Sequence, residues 1–290
     1  MNAKLKMSIG EIISCLPEIF PAHSHNSKTY KVLEDISKSL VSASVFIDPS
    51  APVGSLGDFG EIKFPYTKMG AIDSLNLFGL DELIIFSFYW TNRHRYNRAA
   101  DIGANIGLHS ILMGRCGWQI KSYEPDPIHA ALLRRNLELN NVTNAELIEA
   151  AVSDTPGTLE FVRVLGNTTG SHLAGAKSNP YGELERFPVK VLAIEDVMSK
   201  VDFVKMDVEG QEKIIICSTN VDHWRETDMM VEVGSPENAQ IIFEHLKALG
   251  VNSFSQKLGW QRVDSLEGMP MSYKEGSLFV SMKPSMPWAT

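Results

Sequence analysis

An acidic residue followed by two glycines is the clearest chemical signal in this sequence. Asp101, Gly103 and Gly107 form a D-x-G-x-x-x-G pattern after an apolar segment, and Glu124 ends the next apolar segment. Dinucleotide-binding folds instead use G-x-G-x-x-G, in which close glycines let the backbone approach a pyrophosphate. An acid beside the turn repels a pyrophosphate but accepts hydrogen bonds from the ammonium group of an amino-acid ligand. The spacing therefore indicates S-adenosylmethionine (SAM) and argues against NAD.

Alternating strand and helix patterns surround these residues and predict a parallel α/β sheet. The expected strands are 98–102, 119–123, 145–151, 201–210 and 229–234, and the expected helices are 108–116, 127–140 and 240–249. Two stretches of alternating polarity, 158–164 and 187–192, predict antiparallel strands, and 254–263 with 276–282 predict a closing hairpin. Ligands of such sheets bind at the carboxyl ends of the strands, where Asp101 and Glu124 are expected to lie.

The first 60 residues are expected to form an accessory segment, and residues 61–290 the main domain. Apolar spacing predicts short helices near 9–16 and 31–41, whereas the composition of 49–60 is typical of a loop. A helix at 81–90 should lead into the first core strand. In the main domain, the helix at 127–140 should turn Ile128, Leu132, Leu133 and Leu137 toward the core.

Composition limits the partners and the compartment. A formal charge of −8 over 290 residues argues against DNA or long RNA, which proteins bind mainly through basic surfaces. The three cysteines lack metal-type or redox-type spacing, and no signal peptide is evident, so we expect a cytoplasmic protein. The longest apolar run, 83–90, is far shorter than the roughly 20 residues that span a membrane. The oligomeric state is left open.

Four motifs together resemble the FkbM-type SAM-dependent methyltransferases. They are DIGANIG at 101–107, EPDP at 124–127, AVSD at 151–154 and KMDVEGQE at 205–212. The resemblance covers roughly 99–234. It implies a doubly wound, mostly parallel seven-stranded class I methyltransferase sheet of Rossmann-like type, with a C-terminal antiparallel hairpin and a small helical N-terminal segment. It also implies methyl transfer to a small-molecule or glycan-like acceptor, most often to a hydroxyl group.

The resemblance also implies a set of cofactor-binding residues. Asp101 and the backbone of 103–105 are expected to face the methionine part of SAM, and Glu124 to accept hydrogen bonds from both ribose hydroxyls. Gly107 should let the following helix pack close to the strand. The full expected set is Asp101, Gly103, Ala104, Asn105, Gly107, Glu124, Ala151 and Ser153, the last two bordering the adenine, with Asp207 near the transferred methyl group.

Carboxylates of the last motif are the first candidates for catalysis. Asp207 and Glu209 follow a buried strand, and a carboxylate with a raised pKa can remove the proton of an alcohol. Lys205 is expected to pair with one of them or to contact the acceptor. The structural alternative is that Asp207 holds the turn before Gly210. A magnesium ion shared with the carboxylate at position 232 is a further alternative, since oxygen ligands suit it, but we predict a site without metal.

A long polar loop, 165–186, supplies the remaining candidates. Loops of this length in a compact domain are usually functional or disordered. We expect Asn167, Thr168, Thr169, Ser171 and His172 to bind the acceptor, together with Lys177 and Tyr181 nearby. His172 is the second candidate base, because an imidazole titrates near neutral pH.

Two other functions fit parts of this sequence. A protein that binds SAM or S-adenosylhomocysteine (SAH) without turnover is one, and the intact Asp101, Glu124 and Asp207 argue against it. A methyltransferase acting on RNA is the other, and the acidic charge argues against it.

Overall fold

The computed structural model describes residues 7–44, 46, 53–176 and 182–288. In chain order, its helices are α1 (Ile9–Cys15), α2 (Lys28–Ser42), α3 (Leu80–Thr91), α4 (Leu108–Arg115), α5 (Pro127–Leu139), α6 (Ile194–Met198), α7 (Glu212–Cys217) and α8 (Pro236–Leu249). Its strands are β1 (Val53–Ser55), β2 (Glu61–Lys63), β3 (Arg98–Ile102), β4 (Gln119–Tyr123), β5 (Ala145–Ile148), β6 (Ala151–Ser153), β7 (Gly157–Val164), β8 (His172–Leu173), β9 (Leu184–Ala193), β10 (Phe203–Met206), β11 (Asp228–Glu232), β12 (Asn252–Ser255), β13 (Gln261–Arg262) and β14 (Ser277–Ser281).

An eight-stranded sheet in the order β13-β12-β14-β11-β10-β3-β4-β5 forms the centre. The five strands from β11 to β5 are parallel, and β14 pairs antiparallel with both β11 and β12. Alternate residues of one strand enter different cores: Phe203 packs with α3, α4 and α5, and Val204 with α6, α7 and α8. The sheet is therefore doubly wound, as expected, with one strand more than the predicted seven because the short β13 is added at the edge.

Strand order reverses between β3 and β10, which are neighbours in the sheet. The chain runs outward from β3 through β4 to β5, and then crosses back to β10 and β11. The carboxyl ends of adjacent strands at such a switch point form a crevice that is open to ligands. The candidate residues after β3 and β10 therefore meet at one place.

A second, four-stranded sheet has the order β6-β9-β7-β8. The predicted antiparallel pairing of 158–164 with 187–192 is confirmed, but these strands do not extend the main sheet. The single strand predicted at 145–151 was wrong. It breaks after Ile148, because the Ala150 N–H turns back to the Ile148 carbonyl at 2.9 Å and sends the chain from β5 into β6.

The described part of the N-terminal segment joins the core on the α3 side of the sheet. Ile12 of α1 and Leu16, which follows α1, are fully buried in the same cluster as Phe88 and Phe279. The loop predicted over 49–60 is partly wrong, since β1 and β2 pair as a small antiparallel hairpin. Residues 49–52 lie outside the described residues.

Two further expectations concern helices. Ile128 does not face the core as predicted: it is 56% exposed, because the buried side of α5 is the one that carries Ala130, Leu133 and Leu137. Within the described residues, no helix is both long enough and apolar enough to cross a membrane.

Candidate active site

The turn after β3 and the turn after β10 touch each other directly. Lys205 is paired with Asp101 across the two parallel strands, so both turns begin at the same height in the sheet. A Cβ atom at Gly103 would lie 1.8 Å from the Asp207 carbonyl oxygen, and Gly103 has φ +76°. Only glycine fits both requirements. The first glycine of the D-x-G motif therefore lets the two turns close on each other.

Internal hydrogen bonds hold the turn after β3. The N–H groups of Gly103 and Ala104 both donate to the Tyr123 carbonyl at 3.0 Å, and Asn105 adopts φ +51°. A ligand would therefore meet the carbonyl side of this turn. Gly107, at φ +91°, would place a Cβ atom 2.9 Å from Leu133 Cγ. Gly107 thus permits close packing of the turn on α5.

Asp101 is fully buried at the end of β3, and only one of its two carboxylate oxygens has a hydrogen-bond partner among the described residues. Its Oδ2 accepts a hydrogen bond from Ser110 Oγ at 2.6 Å, and Ser110 also contacts Ser122 Oγ at 2.7 Å. Its Oδ1 has no hydrogen-bond partner among the described residues. A buried acceptor without a partner costs free energy unless a ligand or water satisfies it. This carboxylate oxygen suits an ammonium donor.

Glu124 lies at the end of β4 and is 5% exposed. Its Oε2 accepts from the Asn105 N–H at 2.7 Å, and its Oε1 accepts from the Asp126 N–H at 2.9 Å. Burial raises the pKa of this carboxyl group to about 8, despite the opposing effect of the two N–H groups. Each carboxylate oxygen has a second lone pair, so the group is placed and equipped to accept two further hydrogen bonds from a diol.

Ala151 and Ser153 begin the second sheet close to this point. Both are buried on β6, which pairs in parallel with the end of β9. Ser153 Oγ donates to Asp154 Oδ1 at 3.0 Å. The chain leaves β5 next to Glu124, since the Glu124 N–H donates to the Ile148 carbonyl at 3.2 Å. An adenine bound beside the ribose would thus meet residues near 150–153.

The carboxylates after β10 differ in their surroundings. The Asp207 side chain is 38% exposed and lies 3.8 Å from Lys205 Nζ. Glu209 is half-buried and has φ +53°, an uncommon conformation outside glycine. Glu212, the first residue of α7, accepts from the Gly210 N–H at 2.8 Å and from Asn238 Nδ2 at 2.6 Å, and burial raises its pKa to about 7. Glu212 therefore stabilises the turn, whereas Asp207 faces solvent.

Charge accumulates on the same face of the sheet around the buried Lys205. Burial lowers the Lys205 pKa, but the negative charges of Asp207, Asp101, Glu82 and Glu232 outweigh it, and the net shift is upward. Burial and the neighbouring carboxylates raise the Glu232 pKa well above its usual range. Within the described residues, no three His, Cys, Asp or Glu side chains converge closely enough to bind a metal ion.

Residues 165–176 lie across the site from α5 to the turn after β10. At one end, His129 Nε2 contacts Thr168 Oγ1 at 2.9 Å. At the other, the Ala176 carbonyl oxygen lies 3.0 Å from the position that a Gly210 Cβ would take. A segment preceding α3, residues 65–76, also binds it: the Ala71 N–H donates to the Gly166 carbonyl at 2.7 Å. We call residues 65–76 the strap.

The expected acceptor-binding residues of this loop have contacts within it. Thr169 Oγ1 donates to Asn167 Oδ1 at 2.8 Å, and Ser171 Oγ accepts from the Val164 N–H at 3.1 Å. We had expected His172 to lie in an open loop, but it is buried on β8. Its Nδ1 donates to the Gly170 carbonyl at 3.0 Å. Lys177 and Tyr181 lie outside the described residues.

An ion pair that sequence reasoning missed joins the two sheets beside the site. Arg163 of β7 binds both carboxylate oxygens of Asp126 at 2.7 Å, and both side chains are buried. Asp126 also accepts from the Ile128 N–H at the start of α5. The EPDP motif contains this carboxylate, but its partner lies on a strand whose position no local pattern reveals. A second missed cluster involves Glu82 of α3.

Comparisons with known proteins identify a sequence family and several similar proteins. The sequence family described as Methyltransferase FkbM domain matches residues 101–252. A Sordaria araneosa protein named methyltransferase sdnD is 27% identical over 183 residues, which cover 50% of this chain and 70% of that protein. A Beauveria bassiana protein named methyltransferase 1 is 25% identical over 153 residues, which cover 45% of this chain and 61% of that protein. An O-methyltransferase from Bacillus cereus, solved in complex with SAH, aligns at 12% identity and a TM-score of 0.38, over 68% of this chain and 80% of its own.

Proposed function

The chain belongs to the FkbM family of methyltransferases, and we propose that it transfers the methyl group of SAM to a hydroxyl group of a small-molecule or glycan-like acceptor. The observation that carries the hydroxyl assignment is the Asp207 carboxylate. It is 38% exposed at the switch point of the sheet, beneath a loop rich in polar side chains. An alcohol is a weak nucleophile until its proton is removed, and a carboxylate at the reacting end of the site can do this.

The residues present fit SAM. Oδ1 of Asp101, which has no partner among the described residues, suits the ammonium group of SAM. The two carboxylate oxygens of Glu124 suit the ribose diol of SAM. When bound, SAM supplies an electrophilic methyl group on a positively charged sulfur. The excess of carboxylates around Lys205 gives a site of negative potential that favours a cationic ligand over a neutral one.

Asp207 acts on the acceptor in this proposal. As the bond between the acceptor oxygen and the methyl carbon forms, the hydroxyl proton passes to the Asp207 carboxylate. The sulfur–carbon bond breaks, and its electron pair stays on the sulfur of SAH. Lys205 Nζ lies 3.8 Å from this carboxylate, at ion-pair distance. Alignment of the acceptor and exclusion of water supply much of the rate in such a displacement, and residues 165–176 are placed to provide both.

Paired acceptors test the hydroxyl assignment. We would incubate the protein with methyl-labelled SAM and a panel of polyhydroxylated compounds, each beside a copy whose hydroxyl groups are already capped as ethers. Label should enter a free hydroxyl compound as a methyl ether and should not enter its capped copy. Label found on nitrogen or carbon of the acceptor would contradict the proposal.

A further inference from the structure

We propose that Lys205 and Glu82 complete the part of the site that binds the methionine end of SAM, with Lys205 taking its carboxylate and Glu82, together with Asp101, its ammonium group. His109 and Tyr89 are positioning residues that hold Glu82. Glu82 lies on α3, outside the range matched by the family, and Lys205 becomes a cofactor residue in place of the acceptor residue we had expected. This inference rests on the cofactor of the proposed function.

The buried ammonium group of Lys205 lacks hydrogen-bond acceptors among the described residues and suits an anionic ligand. Lys205 is 7% exposed, and its Nζ reaches the height of Asp207 at the end of β10. The 3.8 Å contact to Asp207 is longer than a hydrogen bond, and Nζ makes no hydrogen bond with any of the residues that the structure describes. A buried ammonium group normally has partners for its three donors. A carboxylate ligand would supply them.

Glu82 is paired with a buried histidine, which a buried tyrosine contacts in turn. His109 Nε2, at the start of α4, lies 3.0 Å from Glu82 Oε2, and Tyr89 Oη lies 2.8 Å from His109 Nδ1. Tyr89 is fully buried between Trp118 and Phe203, so its hydroxyl cannot move to another partner. Burial raises the Glu82 pKa, but the nearby charges of His109 and Lys205 outweigh it, and the carboxyl group stays ionised.

The cluster matches the amino-acid end of SAM in charge. Asp101 is paired with Lys205 across adjacent strands, and both Asp101 and Glu82 contribute to the upward shift of the Lys205 pKa. The three groups thus offer one cation and two anions. A ligand that carries one ammonium and one carboxylate satisfies Lys205 and the partnerless Oδ1 of Asp101 together.

Two ligands isolate this end of the cofactor. SAH carries the amino-acid group, whereas 5′-methylthioadenosine keeps the adenosine and the sulfur and lacks it. We would measure the affinity of both ligands by calorimetry, and by displacement of SAH where binding is weak. The proteins compared are wild type, Glu82→Gln, Lys205→Met and Tyr89→Phe. The exposed positions supply matched controls, Glu146→Gln and Lys190→Met.

We expect Glu82→Gln and Lys205→Met to weaken SAH binding about 10- to 100-fold, as for the loss of a charged hydrogen bond, and to leave the affinity for 5′-methylthioadenosine unchanged. Tyr89→Phe should show the same split with a smaller loss, because it only frees the His109 ring. Equal losses for both ligands would overturn the inference, because a purely structural role weakens the binding of both alike. An unchanged affinity for SAH would overturn it as well. Wild-type protein that binds neither ligand would instead overturn the proposed function. Thermal unfolding of each variant identifies any that fails to fold, and Glu82→Gln, the mildest change, then decides.

Discussion

Three carboxylates of the site, Glu124, Glu212 and Asp207, share one chemistry and differ in their surroundings. Glu124 and Glu212 each accept two hydrogen bonds from neighbouring groups and have raised pKa values because they are buried. Asp207 has one long ion-pair contact among the described residues and is partly open to solvent. The surroundings of Glu124 and Glu212 suit a carboxyl group that holds a turn or binds a neutral diol. Those of Asp207 suit proton transfer.

The raised pKa of Glu124 predicts that cofactor affinity depends on pH. Its carboxyl group has a pKa of about 8 in the free protein, and it can accept from both ribose hydroxyls only when ionised. SAH affinity should therefore rise as the pH increases from 7 to 9. Titration calorimetry across this range measures it. Glu124→Gln should bind SAH more weakly, by about 1–3 kcal/mol at high pH, and should lose most of the pH dependence. A variant with wild-type affinity and the same pH dependence would place the ribose elsewhere.

Asp207→Asn tests the base. The amide keeps the shape of the side chain but cannot accept a proton, so turnover should fall about 10²- to 10⁴-fold. SAM affinity, measured separately, should stay near the wild-type value. Glu209→Gln is the companion variant, because Glu209 lies on the same turn. If both variants transfer methyl groups at the wild-type rate, the base is elsewhere, and His172 becomes the leading candidate.

At the scale of elements, the strap and the loop over the site form one unit. Besides the Ala71 contact, the Thr168 N–H donates to the Met69 carbonyl at 3.0 Å, and Gly70 and Asn167 form an isolated bridge. The loop is thereby tied on one side to α5 and on the other to a segment that precedes the family-matched region. We expect the strap to contribute to acceptor choice through the loop that it holds.

Gly70→Ala should separate acceptor binding from cofactor binding. The new Cβ atom would lie 2.3 Å from the Gly166 carbonyl oxygen, so the strap and the loop must move apart. The Michaelis constant for the acceptor should rise several-fold, while SAH affinity changes little. Gly60→Ala is the matched control: Gly60 also has a positive φ, at +77°, but nothing lies within 4 Å of its Cβ position. Both variants place an alanine at a positive φ, which costs about 1–3 kcal/mol of backbone strain, and equal kinetics in the two would show that the strap contact does not matter.

Sequence patterns predicted some elements much better than others. Strands β3 and β4 have the predicted bounds, since each is a short segment between turn residues and an acidic motif. The break at Ile148 was missed because both halves, 145–148 and 151–153, have strand composition, and a single backbone hydrogen bond separates them. The Arg163–Asp126 pair was missed because it depends on where the second sheet docks, which no local spacing encodes.

At the scale of the whole molecule, the N-terminal segment is joined to the C-terminal part of the sheet. Asp81 Oδ1 accepts from Tyr30 Oη at 3.0 Å and from Gln256 Nε2 at 2.5 Å, and Trp260 Nε1 donates to His23 Nδ1 at 2.9 Å. The sequence predicted the helices of this segment from their apolar spacing. It could not predict these contacts, because they join residues more than 200 positions apart in one case and depend on the finished fold. The boundary near residue 60 stays a prediction.

Buried His23 predicts how stability changes with pH. Its Nδ1 accepts from Trp260 and its Nε2 donates to the Leu16 carbonyl at 3.0 Å, so the neutral ring is required. Burial lowers its pKa from 6.5 to about 4. Between these values the unfolded chain binds a proton that the native chain does not, so stability is lost as the pH falls from about 7 to 4, by roughly 3 kcal/mol at most.

Chemical denaturation at several pH values measures this effect. His25, whose pKa is raised beside Asp81, acts in the opposite direction, so the comparison uses variants and not the wild-type curve alone. His23→Gln should be less stable at pH 7 and should lose less stability on acidification. The exposed His94→Gln should behave as wild type. An unchanged pH dependence of stability in His23→Gln would show that His23 is not the titrating group responsible.

The central claim is that SAM binds at the carboxyl ends of β3 and β4 with its methyl group directed toward Asp207. A crystal structure of the SAH complex tests it most directly, because the sulfur marks where the methyl group was attached. We predict both ribose hydroxyls within hydrogen-bond distance of the Glu124 carboxylate, and the sulfur facing the Asp207 side chain beneath residues 165–176. A ribose that does not contact Glu124, or a sulfur that faces away from Asp207, would contradict the account.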